Sequence, residues 1–431
     1  MKALRTLTSV VFAMMALAAN AQEGTWNGEL NVMGNKVPLV FNFSTNGCTI
    51  DSPSQGVNGI QAEKTVKDDG TISVKVGMIG ATFEGKMTDG EIKGTYVQNG
   101  FQLPLTLKPG KLVVKRPQTP VPPFPYKEES VSFTNAQYTF NGTLTLPENY
   151  SKNTPVVLMV TGSGQQDRDE ELFSHKPFAV IADALARQGI ASLRYDDRGW
   201  GDKSVNFADF TTDDFRQDAA AAIPLLRKRF NKVGILGHSE GGTIAMMLAA
   251  EGKADFIVSL AGMAISGKET LIMQNRQAMS AIGLPKEMVD SYCNSISKAL
   301  DEIASGKKAS EINIDDVPVA LKPITIKALQ QADTPYIRHF LTVDVGKLLP
   351  KIKCPVLALN GTKDTQVDCD ANTTRIEKGL ANCKHSIKKI DGVNHMFQHC
   401  NTGIVTEYQQ IEETIAPEVL QVVAKWIKSE S

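Results

Sequence analysis

Gly237-His238-Ser239-Glu240-Gly241 has the form Gly-x-Ser-x-Gly. The pentapeptide alone says little, but its setting says more. An apolar run, Val233 to Leu236, leads into it, and a small-residue helix beginning near Gly242 leads out. A strand–turn–helix of this kind holds the serine on a strained elbow with its hydroxyl exposed. Glycines are expected at 237 and 241 because side chains there would collide with the neighbouring strand and helix. A serine hydroxyl is a poor nucleophile until a base takes its proton. The base should be a histidine placed after the last core strand. His395, in Asp391-Gly392-Val393-Asn394-His395-Met396-Phe397, follows the strand Ser386 to Ile390 and precedes a terminal helix. His385 comes before that strand, and His399 is the competitor beyond the loop. His175 and His339 come too early, and His238 adjoins the nucleophile but would point away from it. The orienting acid should follow the penultimate strand, Val356 to Leu359. Asp364 does so, with Asp368 and Asp370 as more distant competitors. Ser239, Asp364 and His395 thus occur in the chain order of one known acyl-transfer constellation, in which the carboxylate orients the imidazole and stabilises its cation.

The tetrahedral intermediate of acyl transfer needs preorganised donors for its oxyanion. One is the backbone N–H of Glu240, immediately after the nucleophile. The other should come from the loop Thr161-Gly162-Ser163-Gly164-Gln165-Gln166-Asp167-Arg168-Asp169, whose glycines let the backbone turn its N–H groups inward. Ser163 is the favoured donor and Gly164 its substitute.

These residues need a frame. Pro155 to Val160 is a continuous apolar run, as suits a strand buried on both faces. Ala191 to Tyr195, Val233 to Leu236, Phe256 to Leu260 and Val356 to Leu359 read as further strands. Helical stretches at 178–187, 215–230 and 243–251 alternate with them. That alternation predicts a mostly parallel sheet covered on both faces. Gln137 to Leu146 reads as a hairpin turning at Asn141-Gly142. Between about 262 and 349 the alternation stops. Helices at 268–282, 285–302 and 317–331 are expected to form a cap over the strand ends, where ligands bind in such sheets.

The preceding segment has a different period. Leu39, Phe41 and Phe43 fall on one face of a strand, and 71–76 and 103–107 alternate likewise. Asp68-Asp69-Gly70 and Asp89-Gly90 punctuate these runs, so residues 22–115 are expected to form a small antiparallel β domain. Five prolines between Arg116 and Tyr126 mark an extended linker at 116–126. The remaining residues, 127–431, form the catalytic domain.

The first 21 residues read as a signal peptide. Lys2 and Arg5 precede the apolar stretch Leu7 to Ala18, and Ala19-Asn20-Ala21 offers a cleavage site. The apolar run is too short to cross a bilayer as a helix, and Gln22 offers no cysteine for a lipid anchor. An exported protein, periplasmic or secreted, is therefore expected. With 46 Lys and Arg against 47 Asp and Glu, and no basic cluster, nothing points to a nucleic-acid partner. The six cysteines, at 48, 293, 354, 369, 383 and 400, lack zinc-site spacing. One disulfide among Cys369, Cys383 and Cys400 is compatible with export, but sequence assigns no pair.

From about residue 130 onward the chain resembles bacterial α/β-hydrolase esterases of the serine aminopeptidase-like and dienelactone hydrolase-like kind. The residues that carry the likeness are Gly162-Ser163-Gly164 with Asp167-Arg168-Asp169, Tyr195-Asp196-Asp197-Arg198-Gly199-Trp200-Gly201, 237–242, 355–364, and Asn394-His395-Met396-Phe397. Asp202-Lys203-Ser204 departs from the usual ending of the Arg-Gly-x-Gly motif by one residue. The resemblance implies an α/β-hydrolase fold with a helical cap, here behind an extra β domain. It also implies carboxylesterase action on small-molecule esters of short to medium acyl chains, without cofactor; no metal is expected, because no His/Cys cluster has ligand spacing. Two other readings stand beside it. An exopeptidase would use the same three residues and bind a substrate amino group through an acid such as Glu240 or Glu170. A non-catalytic binding protein would keep a relict hydrolase domain. The ligand or partner of the β domain is unreadable.

Overall fold

The structure, a computed structural model, describes residues 23–32, 35–45, 47–53, 57–112, 115–281 and 283–430. The expected signal peptide lies outside the described residues. The chain divides into two compact units, one ending at Lys115 and the other spanning Arg116–Ser431.

The first unit is a closed barrel of eight antiparallel strands in chain order: β1 (Gly24–Val32), β2 (Asn35–Ser44), β3 (Gly47–Ser52), β4 (Val57–Val66), β5 (Ile72–Val76), β6 (Ala81–Thr88), β7 (Glu91–Gln98) and β8 (Phe101–Pro109). Trp26 opposite Pro109 and Asn27 opposite Lys108 close the ring. Period-two alternation turns one side of each strand inward. Leu39, Phe41 and Phe43 are buried, as are Ile72, Val74 and Val76, and Phe83 and Ile92 pack between them. Side chains fill the barrel, and closure removes the exposed strand edges that invite aggregation.

The second unit is built on an eight-stranded sheet in the order β16-β15-β14-β13-β11-β12-β10-β9. Its strands are β9 (Tyr126–Asn135), β10 (Tyr138–Pro147), β11 (Val156–Val160), β12 (Ala191–Tyr195), β13 (Val233–His238), β14 (Phe256–Leu260), β15 (Val356–Gly361) and β16 (His385–Ile390). From β12 to β16 all neighbours are parallel, and β9 and β10 add an antiparallel edge. The five strands β11 to β15 are buried at every position. Their alternate side chains supply two cores. Val157 and Met159 face α1 (Pro177–Arg187) and the terminal helix, whereas Leu158 and Val160 face α2 (Thr212–Arg227) and α3 (Glu240–Ala250). This is the α/β-hydrolase fold. Between β14 and β15 the chain inserts α4 (Gly267–Ala281), α5 (Lys286–Ala304), α6 (Lys322–Ala332) and the short α7 (Pro335–Phe340), which share a core of their own around Tyr292, Ile296 and Leu329. After β15 come α8 (Cys369–Gly379) and, at the chain's end, α9 (Pro417–Ser429).

Two expectations need correction. The hairpin turns at Ala136-Gln137, where Ala136 has φ of 50°, and Asn141-Gly142 lies inside β10. Gly142 is needed there for a different reason: a Cβ would sit 2.7 Å from the Arg194 carbonyl oxygen of β12. Next, the proline-rich stretch is no free spacer, because the second unit begins at Arg116. The Arg116 guanidinium donates to the carbonyls of Phe173, Gln409 and Ile411, and the Gln118 side chain bonds the backbone of Thr414 and Ile415. Polar side chains dock a segment whose prolines lack N–H donors. The possible bridge among Cys369, Cys383 and Cys400 is absent, and all six cysteines are free thiols. Cys383 lies two residues before β16 and Cys354 two residues before its neighbour β15, so register sets Cys383 beside Cys354 rather than beside Cys369 or Cys400.

Candidate active site

β13 delivers Ser239 to the head of α3 with φ of 52° and ψ of −119°. A non-glycine residue in this left-handed region costs on the order of 1–3 kcal/mol and persists only where its surroundings fix it. Here the Ser239 N–H donates to the Leu260 carbonyl at 2.8 Å, and the Gly242 and Thr243 N–H groups donate to the Ser239 carbonyl. A Cβ at Gly237 would lie 2.0 Å from the Gly241 oxygen, and one at Gly241 would lie 2.0 Å from the Val160 oxygen. The glycines let strand, elbow and helix touch backbone to backbone.

Asp364 and His395 reach the same end of the sheet from β15 and β16. Asp364 Oδ1 accepts the backbone N–H groups of Gln366 and Val367 at 2.8 and 2.9 Å. Its Oδ2 lies 2.8 Å from His395 Nδ1, and both residues are buried. Two backbone donors fix one oxygen and so aim the other. Nδ1 donates to it, which leaves the Nε2 lone pair as the basic site of the ring. The competitors are occupied elsewhere. His399 is an exposed ring held between Glu413 and Glu418 at 2.9 and 3.0 Å. Asp368 accepts the Ala371 N–H at the start of α8, and Asp370 pairs with Lys389 at the surface.

The loop after β11 is braced from below. Thr161 Oγ1 and the Gln166 N–H donate to the two oxygens of Asp197, at 2.9 and 2.8 Å. Burial pushes that carboxyl well above its ordinary range despite these bonds. The loop passes against the nucleophile: a Cβ on Gly162 would be 3.3 Å from the Ser239 Cβ. The Gly162 N–H is directed at Glu170 Oε1 at 2.6 Å, so Ser163 and Gly164 carry the next N–H groups along the loop.

Sequence reasoning missed two features. His238 was expected to point away from the nucleophile; what the sequence did not show is its place beside the base, its ring centroid lying 4.8 Å from that of His395. Its Nδ1 is 3.0 Å from Glu170 Oε1 and its Nε2 is 2.9 Å from the His395 carbonyl. Both partners are acceptors, so both nitrogens donate. Burial opposes a charged ring, but the Glu170 carboxylate and the hydrogen bonds outweigh it and raise the His238 pKa. Glu170 thereby ties the Gly162 loop to the loop that carries the base. The other feature is Glu240, whose side chain turns inward. Its Oε1 accepts from Thr212 Oγ1 at 2.6 Å and its Oε2 from the Tyr336 hydroxyl of α7 at 2.7 Å. Burial raises its pKa against both bonds. Neither Glu240 nor Glu170 Oε1 is thus an open anion for a substrate amine. No signal in the sequence marked Tyr336. Among the described residues, no cluster of three or more His, Cys, Asp or Glu could hold a metal ion.

A family model described as serine aminopeptidase, S33 (Hydrolase_4) matches residues 174–399, over half the chain and all three of Ser239, Asp364 and His395. The chain belongs to that family. This serine hydrolase is 28% identical to the esterase EstD of Thermotoga maritima over 305 residues, covering 69% of this chain and 68% of EstD. It is 25% identical to the human serine hydrolase BPHL over 252 residues, or 55% of this chain and 72% of BPHL. Among solved structures it is similar to the dienelactone hydrolase of Anabaena variabilis, with a TM-score of 0.41 and 17% identity over 71% of this chain and 98% of that one.

Proposed function

We propose that this hydrolase is an exported carboxylesterase that cleaves esters of short to medium acyl chains through an acyl-enzyme on Ser239. The observation that carries the reading is the Asp364–His395 bond, with the far carboxylate oxygen held by two backbone N–H groups. His395 Nε2 takes the Ser239 proton as Oγ attacks the ester carbonyl. The oxyanion is received by the N–H groups of Glu240 and Ser163, with Gly164 as the substitute donor. Collapse breaks the ester bond, and His395 returns the proton to the departing alcohol. Water then repeats the sequence on the acyl-enzyme, with His395 as base, and releases the acid and free Ser239. The likeness to EstD, named an esterase, supports the ester class. The aminopeptidase reading draws on the family description. It needs an open carboxylate for the substrate ammonium, and the two engaged oxygens of Glu240 and the burial of Glu170 weigh against it.

The test compares initial rates on p-nitrophenyl acetate, butyrate and octanoate with rates on aminoacyl p-nitroanilides, for wild type and Ser239→Ala. Ester turnover that falls by about 10⁴-fold or more in the variant is the expected result. Fast anilide cleavage would move the assignment to a peptidase. Equal rates for variant and wild type would remove Ser239 from the chemistry and favour a binding protein. Export is tested separately: mature protein recovered outside the cytoplasm should begin at Gln22.

A further inference from the structure

The base enters the site on a loop, so its place depends on what holds that loop. Asp364 fixes the His395 ring at Nδ1, but a ring aimed at one end is only as well placed as its backbone. That backbone is tied to the strand that carries the nucleophile. His238 is the last residue of β13 and the covalent neighbour of Ser239, and β13 is paired on both sides, with β11 and β14. From there its Nε2 is directed at the His395 carbonyl oxygen at 2.9 Å. The other end of the ring is held as well, with Nδ1 3.0 Å from Glu170 Oε1, the oxygen that accepts the Gly162 N–H at 2.6 Å. His238, Glu170 and His395 are all buried, and Phe397 meets the His238 ring edge-on, 6.4 Å between centroids. Glu170 has φ of 53°, and its N–H donates to the Asp167 carbonyl. That backbone conformation costs a non-glycine residue on the order of 1–3 kcal/mol and persists only where the surroundings fix it. We infer that His238 is a positioning residue for the base. It sets the His395 backbone against the strand that carries Ser239, while Glu170 holds the His238 ring and the Gly162 loop beside it.

This rests on the esterase reading and deepens it. Without the Nε2–H donor, the His395 carbonyl loses its tie to β13, and the base shifts while Ser239 and Asp364 keep their own backbone bonds. A misplacement of about 1 Å can cost about 100-fold in rate. The loss falls on proton transfer, so it should appear in kcat and spare KM.

Two variants separate the two ends of the ring. In His238→Asn the amide nitrogen takes the place of Nδ1, which keeps the bond to Glu170 and drops the one to His395. In His238→Gln the longer side chain carries its amide nitrogen to the place of Nε2, which keeps the bond to His395 and drops the other. His238→Asn should lose about 10- to 100-fold in kcat on p-nitrophenyl butyrate, with KM nearly unchanged. Phosphonylation of Ser239 by an alkyl fluorophosphonate needs the same base and should slow by the same factor. His238→Gln should recover most of both losses. Wild-type kcat in His238→Asn, a rise in KM at constant kcat, or a His238→Gln variant as slow as His238→Asn would each overturn the inference. If His238→Asn fails to fold, His238→Gln alone decides: a folded variant slowed about tenfold or more would show that the bond to His395 does not place the base. An inactive wild type, or a Ser239→Ala variant as fast as wild type, would instead sink the esterase reading.

Discussion

At the residue scale, the site depends on which proton sits on which nitrogen. Asp364 has one oxygen fixed by Gln366 and Val367 and the other on His395 Nδ1. Asp364→Asn would keep its carbonyl oxygen on the two backbone donors and turn its NH₂ toward Nδ1. The imidazole proton would then move to Nε2, the position that must accept from Ser239. A kcat loss of about 10⁴-fold, with KM and melting temperature nearly unchanged, is the expected outcome of steady-state kinetics beside a thermal melt. The Glu170–His238 pair makes a different prediction. Its folded His238 pKa is raised, so the stability it contributes is complete below the ordinary histidine range and is lost as pH rises through the folded value. Glu170→Gln should therefore cost about 1.5–3 kcal/mol at pH 6 and less at pH 9. Urea midpoints at the two pH values would show it, and an equal gap at both would mean that the pair does not titrate in this range.

At the element scale, α3 lies backbone to backbone on β11. In Gly241→Ala the new methyl meets the Val160 carbonyl oxygen, a backbone atom that cannot yield without leaving the sheet. Overpacking of this kind costs about 1–3 kcal/mol. Because it displaces the Glu240 N–H, activity should fall further than stability does, which a rate assay run beside a denaturant titration would separate. The elements around this contact were legible in the sequence for a physical reason. β11 to β15 are buried on both faces, so their sequences are mostly apolar, and the site residues sit beyond the ends of such runs. The same logic explains the failures. Asn141-Gly142 has the local chemistry of a turn, but pairing with strands on both sides overrides it. α7 has only six residues, fewer than two full turns, and so shows no period. Its start at Thr334 and Pro335 has the signature of a helix entry, yet only the fold reveals that Tyr336 reaches Glu240. The His238–Glu170 bond joins residues 68 positions apart and leaves no local pattern either.

At the scale of the whole molecule, the division falls at Arg116, ahead of the prolines. A chain begun at Arg116 keeps the bonds of Arg116 and Gln118 to Phe173 and to the backbone just ahead of α9, whereas one begun at Lys127 loses them. The first should retain wild-type kcat on p-nitrophenyl butyrate. The second should melt several degrees lower, since several hydrogen bonds of about 1 kcal/mol each are gone. Melting curves of the two chains would decide it, and equal curves would return the segment to the role of a plain linker. The proline composition was readable, but its docking was not, because the acceptors are backbone carbonyls about 290 residues away in the chain.

The place of the cap in the chain has a consequence for how this enzyme could change over time. Its two ends return to β14 and β15, which are neighbours in the sheet. In covalent terms, then, the whole insertion could be swapped for another without disturbing Ser239, Asp364 or His395. Tyr336 limits that freedom. A foreign cap would leave Glu240 Oε2 without its donor unless it brought a hydroxyl of its own. The cap and the helix behind the nucleophile are therefore joined at Glu240, and a successful graft would be recognised by a donor restored at that one point.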